Sequence, residues 1–211
     1  MEKTIIIMTK SFKRYNYCIA GIDVETGEWI RVVSDDRTIE GAVPVEDAVD
    51  ENENPIEIFD VVTISFIRSQ PLPEQDENWL YDRSRPWIKQ RSVNLQYVIN
   101  QYGTDNCQYV FNNDARFLER DELTGQSLLL LKISSPKVIV KTFPNQKKVS
   151  LNFRYNNESY AFFSISDIEV YNEYKIKDDG TYPLGDECYA VFSLTRPHVD
   201  NRCYKMVASI F

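Results

Sequence analysis

Histidine is almost missing from this chain of 211 residues: His198 stands alone. A single histidine excludes the multi-histidine metal sites. The four cysteines, Cys18, Cys107, Cys188 and Cys203, show no CxxC spacing and read as small buried hydrophobes. No metal and no cofactor are therefore expected. Glycine is scarce as well, at 7 residues, and none of them builds a P-loop, a GxGxxG turn or a GxSxG elbow. His198 sits in Thr195-Arg196-Pro197-His198, a polar loop pattern rather than the setting of a catalytic base. With 32 carboxylates, choosing two as an acid and base pair is arbitrary. An enzyme is not expected, and no catalytic residue is assigned. No apolar run approaches the roughly 18 residues of a membrane helix. The opening Met1-Glu2-Lys3-Thr4 leads straight into Ile5-Ile6-Ile7-Met8, too short and too strand-like for a signal peptide. A cytoplasmic protein without membrane contact is the expectation.

Positive charge is also short overall. The net charge of −8 argues against indiscriminate binding to phosphates. Its distribution is uneven, however. Residues 41–60 carry Glu46, Asp47, Asp50, Glu51, Glu53, Glu57 and Asp60 with no cation. Residues 123–157 hold Lys132, Lys137, Lys141, Lys147, Lys148 and Arg154 with no acid, and 83–91 adds four more cations. Residues 158–195 turn acidic again. A directional binding surface needs such segregation; a plain solvated shell does not.

What is abundant is β-branched and aromatic sequence in short runs. Strands are expected at 5–10, 17–24, 29–33, 61–68, 128–134, 137–142, 148–155, 158–165, 188–194 and 203–210. One helix is expected over 92–102, where Leu95, Val98, Ile99 and Tyr102 share a face and Gly103 follows as a cap. Weaker helical patterns cover 116–123 and 166–171. Strands at this spacing with few helices mean a β-barrel or a sandwich, and about ten of them suit two five-stranded barrels. The expected fold is thus mainly β, two tandem barrels with one or two short helices, over residues 1–122 and 123–211. The long acidic segment 36–57 reads as a solvated insertion in the first barrel. An internal echo links the ends: Ile19-Ala20-Gly21-Ile22 matches Val207-Ala208-Ser209-Ile210, and small residues of this kind suit a crowded strand or a barrel bend.

Residues 9–34 hold the densest functional pattern. A cationic turn with Lys10, Lys13 and Arg14 feeds an apolar strand, and Asp23 to Gly27 turn the chain into Trp29-Ile30-Arg31-Val32. Strict pleating puts Trp29 and Arg31 on one face and Ile30 and Val32 on the other. If the latter pair is core, the former is exposed together, with Trp29 stacking on a base and Arg31 on its phosphate. Lys10, Lys13 and Arg14 would add phosphate contacts. Arg85 and Trp87, within Arg-Pro-Trp, form a second candidate pair, and Arg196 and Arg202 repeat the cationic role near the end. Phe12, Tyr15, Tyr17 and Tyr204 are further aromatics next to cations. An aromatic on a strand is, on the bland reading, core packing.

The run Cys18-Ile19-Ala20-Gly21-Ile22-Asp23, then Thr26-Gly27-Glu28-Trp29-Ile30-Arg31 and Val33-Ser34, resembles the opening of the bacterial dual OB-containing domain proteins. Phe192-Ser193-Leu194, a polar loop and Cys203-Tyr204-Lys205-Met206-Val207-Ala208 agree with its end, and Asn78-Trp79-Leu80 with its middle. The resemblance implies two OB-type barrels along the whole chain. The expectation drawn from residues and resemblance together is a binding protein for single-stranded nucleic acid or a nucleotide. The alternative is a protein-interaction adaptor with a protein partner.

Overall fold

The structure, a computed structural model, describes residues 1–13 and 15–211, with Lys13 described in its backbone only. The chain divides into two compact units, Met1–Gly103 and Thr104–Phe211. Each contains a closed five-stranded barrel.

The first barrel uses β1 (Glu2–Lys13), β2 (Asn16–Asp23), β3 (Trp29–Val33), β4 (Asp60–Ser69) and β5 (Asn78–Tyr81). Around the ring the order is β1-β2-β3-β5-β4, and β4 closes on β1. Only the β3–β5 pairing is parallel. Alternation sends Ile5, Ile7, Ile19, Ile30, Val32, Val62, Ile64 and Phe66 into the interior. Gly21 is required where β2 crosses β1: a Cβ there would lie 2.2 Å from the Ile6 carbonyl oxygen. A sixth strand, β6 (Ile88–Ser92), pairs with β4 outside the ring, and α1 (Leu95–Tyr102) follows. Asn94 caps α1, its side chain accepting the Tyr97 N–H, and Gly103 ends it at φ 76°. The expected helix start at 92 is early by three residues, because Ile88–Ser92 is claimed by β4.

The segment between β3 and β4 is not the solvated insertion expected over 36–57. It contributes Val43, Ala48 and Ile56 to the core, and Val43 exchanges both backbone hydrogen bonds with Tyr17 (2.9 and 2.8 Å). Its acids meet the barrel's own cations. Glu57 pairs with Lys10 (3.2 Å) and Asp47 with Arg83 (2.6 Å). Asp60, at the start of β4, pairs with Lys89 (2.7 Å). The Asp50 carboxylate accepts the N–H groups of Asn52 and Asn54, bonds that hold it below the usual carboxylate range.

In the second unit a two-residue strand, β7 (Phe117–Leu118), precedes β8 (Leu128–Phe143), β9 (Gln146–Tyr155) and β10 (Glu158–Ile165). Then come α2 (Ile168–Lys175), β11 (Gly180–Pro183), β12 (Glu187–Leu194) and β13 (Cys203–Ile210). The ring runs β8-β9-β10-β13-β12 and back to β8, with only β10–β13 parallel. This is the ring order of the first barrel. β7 and β11 are additions, on β13 and β8. The two strands expected at 128–134 and 137–142 are one: Ser135, at φ 50°, makes a bulge that bends β8 without ending it. The first half of β8 pairs with β12 and the second with β11. Aromatics fill this interior, with Phe153 stacked on Tyr160 (5.0 Å), edge-on to Phe163 and tilted against Phe192.

Two sequence expectations are corrected here. The division falls after Gly103, not near 122, because 104–122 pack with the second barrel. The Asp105 N–H bonds the Leu130 carbonyl (2.9 Å), the Val110 N–H bonds the Tyr160 hydroxyl (3.2 Å), and β7 joins β13. The terminal echo falls on unlike positions, the second strand of one ring and the fifth of the other. What the echoed segments share is a β-bulge beside small buried residues, at Gly21 and Ala20 in β2 and at Ser209 and Ala208 in β13.

Candidate functional site

The second and third strands of the second ring, β9 and β10, turn an open face outward. Val149, Leu151 and Phe153 point inward, so Lys148, Ser150, Asn152 and Arg154 point out. On β8 the same alternation buries Val138 and Val140 and turns out Ile139, Lys141 and Phe143. β10 breaks the pattern. Its register slips between Tyr160 and Phe163, and Phe162 takes φ 61°. A bulky aromatic in the left-handed region is a genuine outlier, and a bulge re-aims a side chain. Here the bulge sends Phe162 outward, 52 % exposed, beside the core residue Phe163. The Asn152 side chain of β9 fixes the arrangement by accepting the Phe162 N–H (2.8 Å). Strain of this kind persists when the surroundings over-determine it, and it gathers at ligand sites.

Around Phe162 lies a groove with two lobes. One, of about 590 Å³, is lined by Lys141, Phe143, Lys147, Ser150, Tyr171 and others. The second, of about 570 Å³, reaches Thr195, His198, Asp200, Tyr204 and Lys205 in the loop before β13 and at its start. Arg116, Lys148, Phe162 and Ser164 line both. Among the described residues, Arg116, Lys141 and Lys148 form no ion pair. Lys141 and Lys148 instead flank the Phe143 ring at 5.4 and 5.6 Å. Beside this edge the Asp179 carboxylate is held by the Thr142 N–H and hydroxyl, which keep it below the ordinary range, with Lys147 and Lys141 adding to the effect. Lys205 is buried, its ammonium donating to the Asn113 carbonyl (2.6 Å) and side-chain oxygen (2.8 Å). Burial lowers its pKa to about 8.

The residues singled out from sequence fall elsewhere. Ile30 and Val32 are core, as the alternation requires, but Arg31 is buried too, its Nε 3.2 Å from Glu77 with both side chains 8 % exposed. It is a structural ion pair and cannot reach a phosphate. Trp29 is half-buried. Trp87 is core, 2 % exposed and edge-on to Tyr81 (5.8 Å), because the 34–59 segment and β6 close over it rather than leave it on a loop. Arg85 is exposed on a turn of the first barrel, its N–H on the Asp82 carbonyl (3.1 Å). Lys10 is engaged by Glu57 and lies over the Tyr17 ring (5.0 Å). Arg14 and the Lys13 side chain lie outside the described residues. Arg202 pairs with Glu119 (2.9 Å) and covers Phe117, and Arg196 is half-buried on the same loop; neither lines the groove. Of the aromatics beside cations, Tyr204 does line it. Phe162 has no cationic neighbour in sequence and was missed. The acid-free run 123–157 was the available signal, since it supplies Lys141, Lys147 and Lys148.

Closed five-stranded rings of this order define OB folds, binding modules whose ligands lie across strands two and three and the loops after strands one and four. The groove occupies that face of the second ring. The chain belongs to the dual OB-containing domain family, whose sequence model matches residues 3–210. Comparison with curated proteins and with solved structures gives no match. No helix is long and apolar enough to cross a membrane. The dual OB architecture fits a binding role in general.

Proposed function

We propose that the groove of the second barrel binds single-stranded nucleic acid or a nucleotide, without chemistry. The observation that carries this is Phe162, held exposed in a strained conformation in a groove that Lys148 and Arg116 also line. OB modules bind single strands by stacking bases on exposed aromatics beside a cationic track. Unpaired cations favour a polyanion over the neutral sugars that other OB folds take. Phe162 and Phe143 are the stacking surfaces, and Arg116, Lys141 and Lys148 the phosphate contacts.

Phe162→Gly tests this. Glycine adopts a positive φ freely, so the variant should melt at or above the wild-type temperature. Loss of one stacked base costs about 1–3 kcal/mol, roughly five-fold to a hundred-fold in affinity for a labelled single strand. Wild-type binding should also weaken steeply with salt. A variant that binds as tightly as wild type would remove Phe162 from the site. Absence of binding to DNA, RNA and nucleotides alike would leave the adaptor reading.

A further inference from the structure

We infer, on the strength of that reading, that the ligand is at least two nucleotides long and straddles Phe162, with its internucleotide phosphate at Arg116 and Lys148. Each lobe alone, near 590 and 570 Å³, falls in the volume range of a complete small-ligand site, about 300–1,000 Å³. Each has its own aromatic wall. Phe143 lines only the first lobe; Tyr204 and His198, 5.0 Å apart, line only the second. A mononucleotide in one lobe leaves the other's wall unused. A linked pair of nucleotides occupies both, and the second seat is filled at the high effective concentration that a short link provides.

The charges order the ligand along the groove. The second lobe includes Asp200, whose carboxylate accepts the Tyr204 hydroxyl (2.6 Å) and the Arg202 N–H (3.1 Å). That carboxylate disfavours a phosphate there and leaves the lobe to a base. The unpaired cations common to both lobes are Arg116 and Lys148, at the junction beside Phe162. A phosphate linking two nucleosides belongs at that point.

The test is a length series of thymidine nucleotides, from the monophosphate through the dinucleotide to the hexanucleotide, titrated into the full chain by calorimetry. Affinity should rise at least ten-fold from one nucleotide to two. Phe143→Ala and His198→Ala, both exposed positions, should each bring the dinucleotide back toward the monophosphate while melting as wild type does. Equal affinities for monophosphate and dinucleotide, with binding intact, would overturn this inference and leave the groove a single-nucleotide site. Failure of every length to bind would overturn the nucleic-acid reading of the groove, and the inference with it.

Discussion

The two barrels share a ring order and differ in what their equivalent faces offer. In the first, the outward residues of strands two and three include Ala20, Ile22 and Arg31, all buried. In the second, the same strands turn out Lys148, Arg154, Phe162 and Ser164, all exposed. On strand one of the first barrel Lys10 is tied to Glu57, whereas Lys141, near the end of β8, has no acid partner among the described residues. The first unit holds 18 acids against 11 bases, the second 14 against 13. The connection between strands three and four sets the difference. In the first barrel it is the acidic segment, which engages Lys10 and Arg83; in the second it carries α2, capped by Asp167, whose burial raises its pKa while its carboxylate accepts the Val170 and Ile210 N–H groups. One topology thus yields a barrel whose Lys10, Arg31, Arg83 and Lys89 are engaged by its own acids, and a barrel with a face where Arg116, Lys141 and Lys148 form no ion pair among the described residues.

The largest effects expected on this view are on stability, in the first barrel. Trp87→Ala should cost about 3–5 kcal/mol, since it empties a fully enclosed core site, while Trp87→Phe should be far milder, because the indole N–H has no acceptor among the described residues. Denaturant titration gives both, and oligonucleotide affinity measured below the melting range should stay at the wild-type value. A Trp87→Ala variant of normal stability and weakened binding would reverse the assignment of the two barrels.

Arg31→Ala should cost about 3–5 kcal/mol by leaving Glu77 buried without its partner. Replacing both, Arg31→Met with Glu77→Leu, should recover most of that loss in urea melts. If the double variant is no better than the single one, Arg31 does more than answer Glu77.

Charge removal separates the barrels directly. Lys141→Gln with Lys148→Gln should weaken single-strand binding and flatten its log–log salt dependence by about 1.4, at roughly 0.7 per phosphate contact. Arg83→Gln with Lys89→Gln, at cations already engaged by Asp47 and Asp60, should leave both the affinity and the slope alone. Equal effects of the two double variants would mean that the ligand senses only overall charge.

The smallest effect is a pH dependence at Lys205. Its folded pKa, about 8, lies below the ordinary 10.5, burial outweighing the opposite pull of Glu122, Asp114 and Cys107. Below pH 8 the residue is charged in both states and contributes no slope. Between about 8 and 10.5 the unfolded chain keeps the proton and the folded one sheds it, so stability from this residue rises with pH. Wild type should therefore gain stability relative to Lys205→Met between pH 8 and 10, read as denaturant midpoints at each pH. A flat difference would mean that the ammonium stays charged against the Asn113 oxygens.

The fold was legible because it rests on local pattern. Alternating Ile, Val and Phe marked nine of the strands, one of them as two runs, and the absence of long helical periodicity pointed to a barrel or sandwich. Strand β5 escaped because four residues, Asn78–Tyr81, carry too little alternation, although Asn78-Trp79-Leu80 was visible as a family motif. The boundary escaped because 104–122 contains only β7 and a one-turn 3-10 helix at Arg120–Glu122, whose allegiance is set by hydrogen bonds to distant strands. Trp29 and Arg31 were placed on the correct face of their strand, but alternation gives a face and not its accessibility.

Composition and periodicity by themselves determined that this is a mainly β protein of barrel or sandwich type without a recognisable catalytic motif, and that its cations and acids are segregated along the chain; the family motifs added the two barrels. Tertiary structure alone decided which cations are free. Ion pairing depends on neighbours 46 or 47 residues away, as for Arg31 with Glu77 and Lys10 with Glu57. It also decided that Phe162 faces outward, since a one-residue slip between β9 and β10 reverses the side that strict alternation assigns.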